Sequence, residues 1–291
     1  MSRLPILNIE QFQTLADSDD FYFNNLSDHI KANYQTVTVP HKHDFFLTVL
    51  FTQGEGIHEI DFNSYPIRPG SVFLLNPGQT HHWELSQDIN GFIFFHSQSF
   101  YDLNYSAKRV HNFPFFYSLQ NSPCIYLNEN EQQVIEYFFK MIHDEYYANL
   151  LMKQDKLCSL IDLIYIELSR ICMGEGYLKV SKSNNYSKKL QQLEQLIEQN
   201  FLTEKSPMIY ADWMNITPKH LNRITKTMVG KTTSDLIAER VLLEAKRMLL
   251  HAENNFSEIA YSLGYEDYSY FSRLFKKKCG ESPSEFQKRY Y

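Results

Sequence analysis

The clearest pattern in the chain runs from Phe256 to Phe286, where two short amphipathic segments flank a glycine. Ile259, Ala260 and Leu263 share one helical face, and Ser257 is read as the cap whose hydroxyl takes an orphan amide of the first turn. Gly264 follows, where a left-handed backbone costs glycine nothing. Asp267 is read as the cap of a second helix ending at Gly280. Phe271, Leu274, Phe275 and Lys278 recur on its inner side, leaving Tyr268, Ser269, Ser272, Arg273, Lys276 and Lys277 on the outer faces. Helix, tight turn, and a second helix with a cationic face is the pattern of a helix-turn-helix.

The same pattern occurs once earlier. Ser206 and Pro207 open a helix with Ile209, Ala211 and Met214 inward. Asn215 stands in the turn, Thr217 and Pro218 open the next helix, and Gly230 closes it. Arg223, Lys226 and Gly230 match Arg273, Lys276 and Gly280 at an offset of 50, whereas Ala211 matches Ala260 at 49, so the later turn is one residue longer. This is an internal duplication. One helix over Ser234–His251, about 27 Å long, separates the copies, and an amphipathic helix over Lys188–Phe201 precedes them. Two recognition helices carried by such a rod can enter successive major grooves, about 34 Å apart.

The front of the chain changes period. Gln35–Val39, Asp44–Thr52, Gly56–Phe62, Ser71–Asn76, His81–Leu85 and Ile89–His96 read as short strands between Gly/Pro turns, which predicts a small antiparallel barrel or jelly roll able to enclose one small ligand. The first twenty residues have no period and read as an arm. Past Pro123, Asn128 caps a helix running to about Leu151, and a second helix covers Lys153–Met173 with a wide apolar stripe. One face of this pair must cover the barrel; the other is free to pair with a second chain. Gly174–Ser187 is polar and glycine-bearing and reads as a linker.

Composition refines this only in part. The 291 residues suffice for two domains. Ser183–Tyr291 has 16 Lys and Arg against 13 Asp and Glu, a net of +3, while Met1–Lys182 has 12 against 21, a net of −9. An overall −6 therefore hides a modestly basic back half. Four cysteines without paired spacing read as reduced thiols, and with no stretch that reads as a membrane span or a signal peptide a cytoplasmic protein is expected.

Two sets of residues carry a family resemblance. Ile259-Ala260, Gly264-Tyr265, Tyr270-Phe271-Ser272-Arg273, Phe275-Lys276-Lys277, Gly280 and Ser282-Pro283-Ser284-Glu285-Phe286 resemble the signature of the AraC/XylS transcription regulators. His41-x-His43, Gly54-x-Gly56, Pro69-Gly70-Ser71 and Asn76-Pro77-Gly78-x-x-His81 resemble the cupin barrel. Together they imply an α+β chain of two domains. Residues 1–175 form a cupin-like, effector-binding and dimerising antiparallel β-barrel with two helices, and 176–187 a linker. Residues 188–291 form an all-α DNA-binding domain whose two helix-turn-helix motifs are joined by a long helix.

The implied partners are double-stranded DNA, a small-molecule effector, a second copy through helices 129–151 and 153–173, and RNA polymerase, with no membrane and no cofactor. Arg223 and Arg273 are expected at base edges, with Lys219, Asn222, Tyr268 and Ser269 beside them and Lys226, Lys276 and Lys277 on phosphates. Tyr34, His43, Phe45, His81 and Trp83 are expected to line the effector pocket. His41, His43 and His81 stand where metal cupins place histidines, but Leu47 and Thr48 occupy the place of the expected glutamate. That absence favours sensing over the alternative, a metal-dependent cupin enzyme fused to a helical domain.

Overall fold

The computed structural model describes residues 5–13, 20–102, 110, 113–117, 122–148, 150–180, 184–250 and 255–290. They fall into two units, Met1–Lys179 and Val180–Tyr291. The first contains β1 (Ile6–Leu7), a 3-10 turn (Ile9–Phe12), β2 (Phe21–Asn25), α1 (Leu26–Val37), β3 (Lys42–His43), β4 (Phe46–Gln53), β5 (Gly56–Ile60), β6 (Asn63–Ile67), β7 (Ser71–Leu75), β8 (His81–Leu85), β9 (Asn90–His96), α2 (Gln98–Asp102), α3 (Pro114–Tyr117), β10 (Cys124–Tyr126), α4 (Glu129–Tyr147) and α5 (Lys153–Val180).

An antiparallel sheet ordered β10-β7-β4-β9-β2 accompanies a smaller one ordered β6-β5-β8. Strand alternation sorts the side chains of β4 into two cores. Leu47, Val49 and Phe51 join Ile60, Ile67 and Trp83 in one core. Phe46 and Leu50 join Ile135 and Phe139 of α4 and Ile161, Ile164 and Leu168 of α5 in the other. The larger sheet is thus buried on both faces, which is why β4 and β7 read as unbroken apolar runs. The β5–β6 hairpin turns through Asp61 and Phe62, both at positive φ (46° and 73°), the geometry of a two-residue turn between twisted strands.

Thr48, on the helix side of β4, meets the Tyr165 hydroxyl at 3.2 Å, and that hydroxyl meets His96 Nε2 at 2.8 Å. His96 Nδ1 lies 2.9 Å from the Ser97 carbonyl, so Nδ1 carries the proton, Nε2 accepts from Tyr165, and Thr48 donates to the tyrosine oxygen. This satisfied buried chain fixes α5 against β4 and β9.

The second unit holds α6 (Asn184–Asn200), α7 (Pro207–Trp213), α8 (Pro218–Val229), α9 (Thr233–Leu249), α10 (Phe256–Ser262), α11 (Tyr268–Cys279) and α12 (Pro283–Tyr290). Arg240 of α9 is buried: it forks onto Glu198 of α6 at 2.6 and 2.8 Å, reaches Glu244 at 3.0 Å, and lies 3.8 Å over the Phe201 ring.

Several expectations are corrected. Gln35–Val37 is helical: α1 kinks at Asn33 (φ −123°, ψ 18°), and beyond the kink the Thr38 amide and hydroxyl both donate to the Tyr34 carbonyl and close a last turn that buries Val37. The arm holds β1, paired with β3, and a 3-10 turn; just past it β2 adds an edge strand beside β9, and β10 extends the sheet past Pro123. The helix after Asn128 ends at Tyr147 rather than Leu151. The stretch read as a linker is helical through Val180 and again from Asn184, with 181–183 outside the described residues. The helix between the duplicated motifs ends at Leu249, and His251 lies outside the described residues.

Candidate functional site

The duplication is visible hydrogen bond by hydrogen bond. In the first copy Asn215 takes φ +51° and the Ile216 amide donates to Ala211 O at 3.0 Å. In the second Gly264 takes φ +78° and the Tyr265 amide donates to Ala260 O at 2.9 Å. Thr217 then caps α8 by accepting from the His220 amide, and Asp267 caps α11 by accepting from the Ser269 and Tyr270 amides. The extra residue of the later turn is therefore Glu266. Both recognition helices end on a left-handed glycine, Gly230 and Gly280. Beyond them the Thr232/Asp235 capping box is repeated by Ser282 and Glu285. Two expectations fail here. Asn255, not Ser257, caps α10, through a box with Glu258 that spans the first turn fully. Lys278 is exposed and bonds Asp235 instead of joining the inner face of Phe271 and Phe275.

Electrostatics separates the two recognition faces from the rest of the unit. Arg240 and Arg247 share Glu244, Lys231 pairs with Glu239, Lys278 with Asp235 and Arg289 with Glu281. Lys219, Arg223 and Lys226 of α8 and Arg273, Lys276 and Lys277 of α11 are exposed, and none of the six forms an ion pair among the described residues. On α8 an open cleft of about 620 Å³ lies between Thr217, Lys219, Arg223 and Thr227. Ser269 is exposed near the start of α11, and Tyr268 is half-buried, stacked on Phe256 at 6.1 Å. Asn222 is half-buried and its side-chain carbonyl accepts from the Thr233 amide at 3.2 Å, so it also braces the start of α9.

In the sensor unit, imidazoles gather between the sheets. His41 packs 4.3 Å from His81, His43 lies 5.1 Å from His81, and His58 Nε2 meets His81 Nδ1 at 2.9 Å. His43 Nδ1 lies 2.7 Å from the Phe45 carbonyl, so the proton is on Nδ1 and Nε2 carries a lone pair. His43 Nε2, His58 Nδ1, His81 Nε2 and Trp83 Nε1 are all buried without a protein partner. Burial, then the neighbouring imidazoles, pushes His43 down to about 3 and His58 and His81 well below the usual histidine range. Phe45 stacks on His43 at 4.5 Å.

These orphan nitrogens are the groups an uncharged polar ligand could satisfy. No three His, Cys, Asp or Glu side chains among the described residues are arranged to hold a metal ion. Tyr34 does not belong here: it sits on α1 with 63% of its surface exposed, because the segment is a helix and turns that side chain outward. His58 was missed, although its alternation with Gly56 and Ile60 on β5 marks it as facing the same way as Ile60.

Residues 210–289 match the model described as a helix-turn-helix domain, and residues 26–96 match the AraC-like ligand binding domain. The chain belongs to the AraC/XylS family. Family members similar to it include the HTH-type transcriptional activator RhaS of Enterobacter sp. (strain 638), 24% identical over 254 residues, 85% of this chain and 86% of that one. RhaR of the same strain is 23% identical over 265 residues, covering 88% and 89%. The solved structure of ToxT from Vibrio cholerae O395 covers 93% of this chain and 98% of its own at 16% identity, with a TM-score of 0.43, too loose a likeness to carry weight. The two matched domains make this family member a ligand-responsive, DNA-binding transcription regulator. Among the described residues no helix is long and apolar enough to cross a membrane.

Proposed function

We propose that this regulator grips duplex DNA with α8 and α11 in successive major grooves, and that its sensor unit alters that grip when a small molecule occupies the histidine-lined core. The observation that carries the reading is the cationic face repeated at a fixed offset on two helices of matching geometry, without ion pairs among the described residues, in a unit that pairs its other arginines with carboxylates. The 17 residues of α9 give a spacer of about 26 Å, which suits helices separated by roughly one duplex turn. Arg223 and Arg273 fork onto guanine edges, while Lys226, Lys276 and Lys277 supply salt-dependent phosphate contacts. The role is activation, in the cytoplasm with RNA polymerase as protein partner, in keeping with the activators it resembles.

Arg273→Ala is expected to cost about 1–3 kcal/mol on a duplex selected from a random pool and to relax one base position. Equilibrium titration against the selected and scrambled duplexes checks this. An equal loss on both would make Arg273 a phosphate contact.

The chain acts as a homodimer. In α5 the residues Leu157, Leu160, Ile161, Ile164 and Leu168 are consumed in the unit's own core. On α4, Phe138 and Met141 pack partly against that core, while Val134 (49% exposed) and Tyr137 (61%) beside them are the apolar edge offered to a partner. Light scattering at micromolar concentration should give the mass of two chains, and Tyr137→Glu the mass of one; a monomeric parent protein would remove the dimer.

A further inference from the structure

Among the described residues, the first recognition helix has a neighbour that the second lacks. Tyr186, in the first turn of α6, is half-buried, and its ring lies 5.8 Å from that of His220 and 5.9 Å from the guanidinium carbon of Arg223. His220 and Arg223 are three residues apart on α8 and so share one side of the helix. One tyrosine ring therefore spans both. Its own helix is anchored: Leu190, Leu193 and Ile197 are buried and Glu198 holds Arg240. Among the described residues no aromatic ring lies against Arg273 in this way.

A long arginine on an open surface samples many rotamers, and closing it onto a base costs that freedom. A ring face within about 6 Å attracts the guanidinium and narrows its range while leaving its donors free. We infer that Tyr186 is a positioning residue for base readout by α8: it steadies Arg223 at the edge of the cleft before DNA arrives, so that α8 and α11 read their half-sites by different means. Because Tyr186 stands in the first turn of α6, the α8 half-site is the one whose reading depends on how that turn is held.

The inference rests on Arg223 reading a base, and the test separates the two claims. Full-length protein carrying Tyr186→Phe, Tyr186→Leu, Tyr186→Ala, Arg223→Ala or the Tyr186→Ala/Arg223→Ala pair is titrated against the selected duplex and against duplexes changed at single positions of each half-site. Thermal unfolding serves as the folding control. Loss of the ring should weaken binding about three- to five-fold, the size of an exposed cation–π contact, for Leu and Ala alike. Phe should retain the parent affinity. The loss should fall on the same base position that Arg223→Ala relaxes, and vanish in the Arg223→Ala background. If Arg223→Ala relaxes a position and the ring-less variants do not, or if they weaken all duplexes equally, the positioning role is overturned while base readout stands. If Arg223→Ala relaxes nothing, both claims fall together.

Discussion

Lowering the pH from 7 to 5.5 is expected to remove about 5 kcal/mol of stability from the sensor unit, roughly 1 kcal/mol for each of five buried imidazoles. His29 and His43 are held down to about 3, His96 to about 4, and His58 and His81 well below their usual value, each chiefly because burial disfavours the charged ring. In the unfolded chain the same groups titrate near 6.5. Above that pH neither state binds the proton and the full stability is present. As pH falls below 6.5 the unfolded chain gains protons that the folded unit refuses, so stability drops until the folded values are reached. The cluster cannot share the load, because charging His81 raises the cost of charging His41, His43 and His58 beside it.

A loss of that size rivals the whole stability of an ordinary domain. The helical unit carries only His220 and His251 and lacks this buried cluster. In a Trp213→Phe protein, Trp83 alone reports the sensor unit, and its unfolding midpoint should collapse between pH 7 and 5.5. A flat midpoint would mean that the imidazoles are charged in place or already bound to something.

What the sequence revealed follows a physical division. Elements written by local chemistry were legible: the Gly264 turn, the Asp267 and Asn128 caps, the duplication, and strands bounded by glycine and proline. Elements decided by distant packing were not. Val37 is β-branched, yet it belongs to the helical turn beyond the kink at Asn33, where it is buried in the core with Leu26 and Ile30. β2 has no turn signal of its own and exists because β9 offers it an edge. The exposure of Arg223 and Arg273 was legible too, since the 3.6-residue period alone turns both outward from their helices. The pocket fared worse. Tyr34, just before the Gln35–Val39 run, lies on α1 and faces outward. His58 reaches the cluster only through its cross-strand register with Trp83, a relation between β5 and β8 that no single segment records.

Gly264→Ala is expected to destabilise the helical unit by about 3–4 kcal/mol, and Gly280→Ala or Gly230→Ala by only about 1–2 each. All three glycines have a left-handed backbone, at φ 78°, 85° and 71°, so the conformational cost of a methyl group is shared. They differ in space. A Cβ on Gly280 or Gly230 meets nothing within 4 Å, whereas one on Gly264 would stand 2.1 Å from the Leu202 carbonyl oxygen and 2.6 Å from Lys205 Nζ. Lys205 itself donates to Leu202 O at 2.9 Å and lies 5.1 Å over the Tyr265 ring, so the segment before α7 is seated directly on the turn between α10 and α11. That contact ties the first motif to the second.

Asn215, the counterpart of Gly264, keeps a side chain at φ 51° because asparagine accepts the left-handed region. Gly264→Asn should therefore recover the conformational share of the loss but not the steric share. Chemical denaturation of the four variants ranks these costs. Titration against a duplex with both half-sites should show Gly264→Ala losing more affinity than against either half-site alone, because the wedge disturbs the spacing of the two readers. If Gly264→Ala proves as mild as Gly280→Ala, the Leu202 contact does not hold the motifs together, and a rigid two-groove grip loses its structural basis.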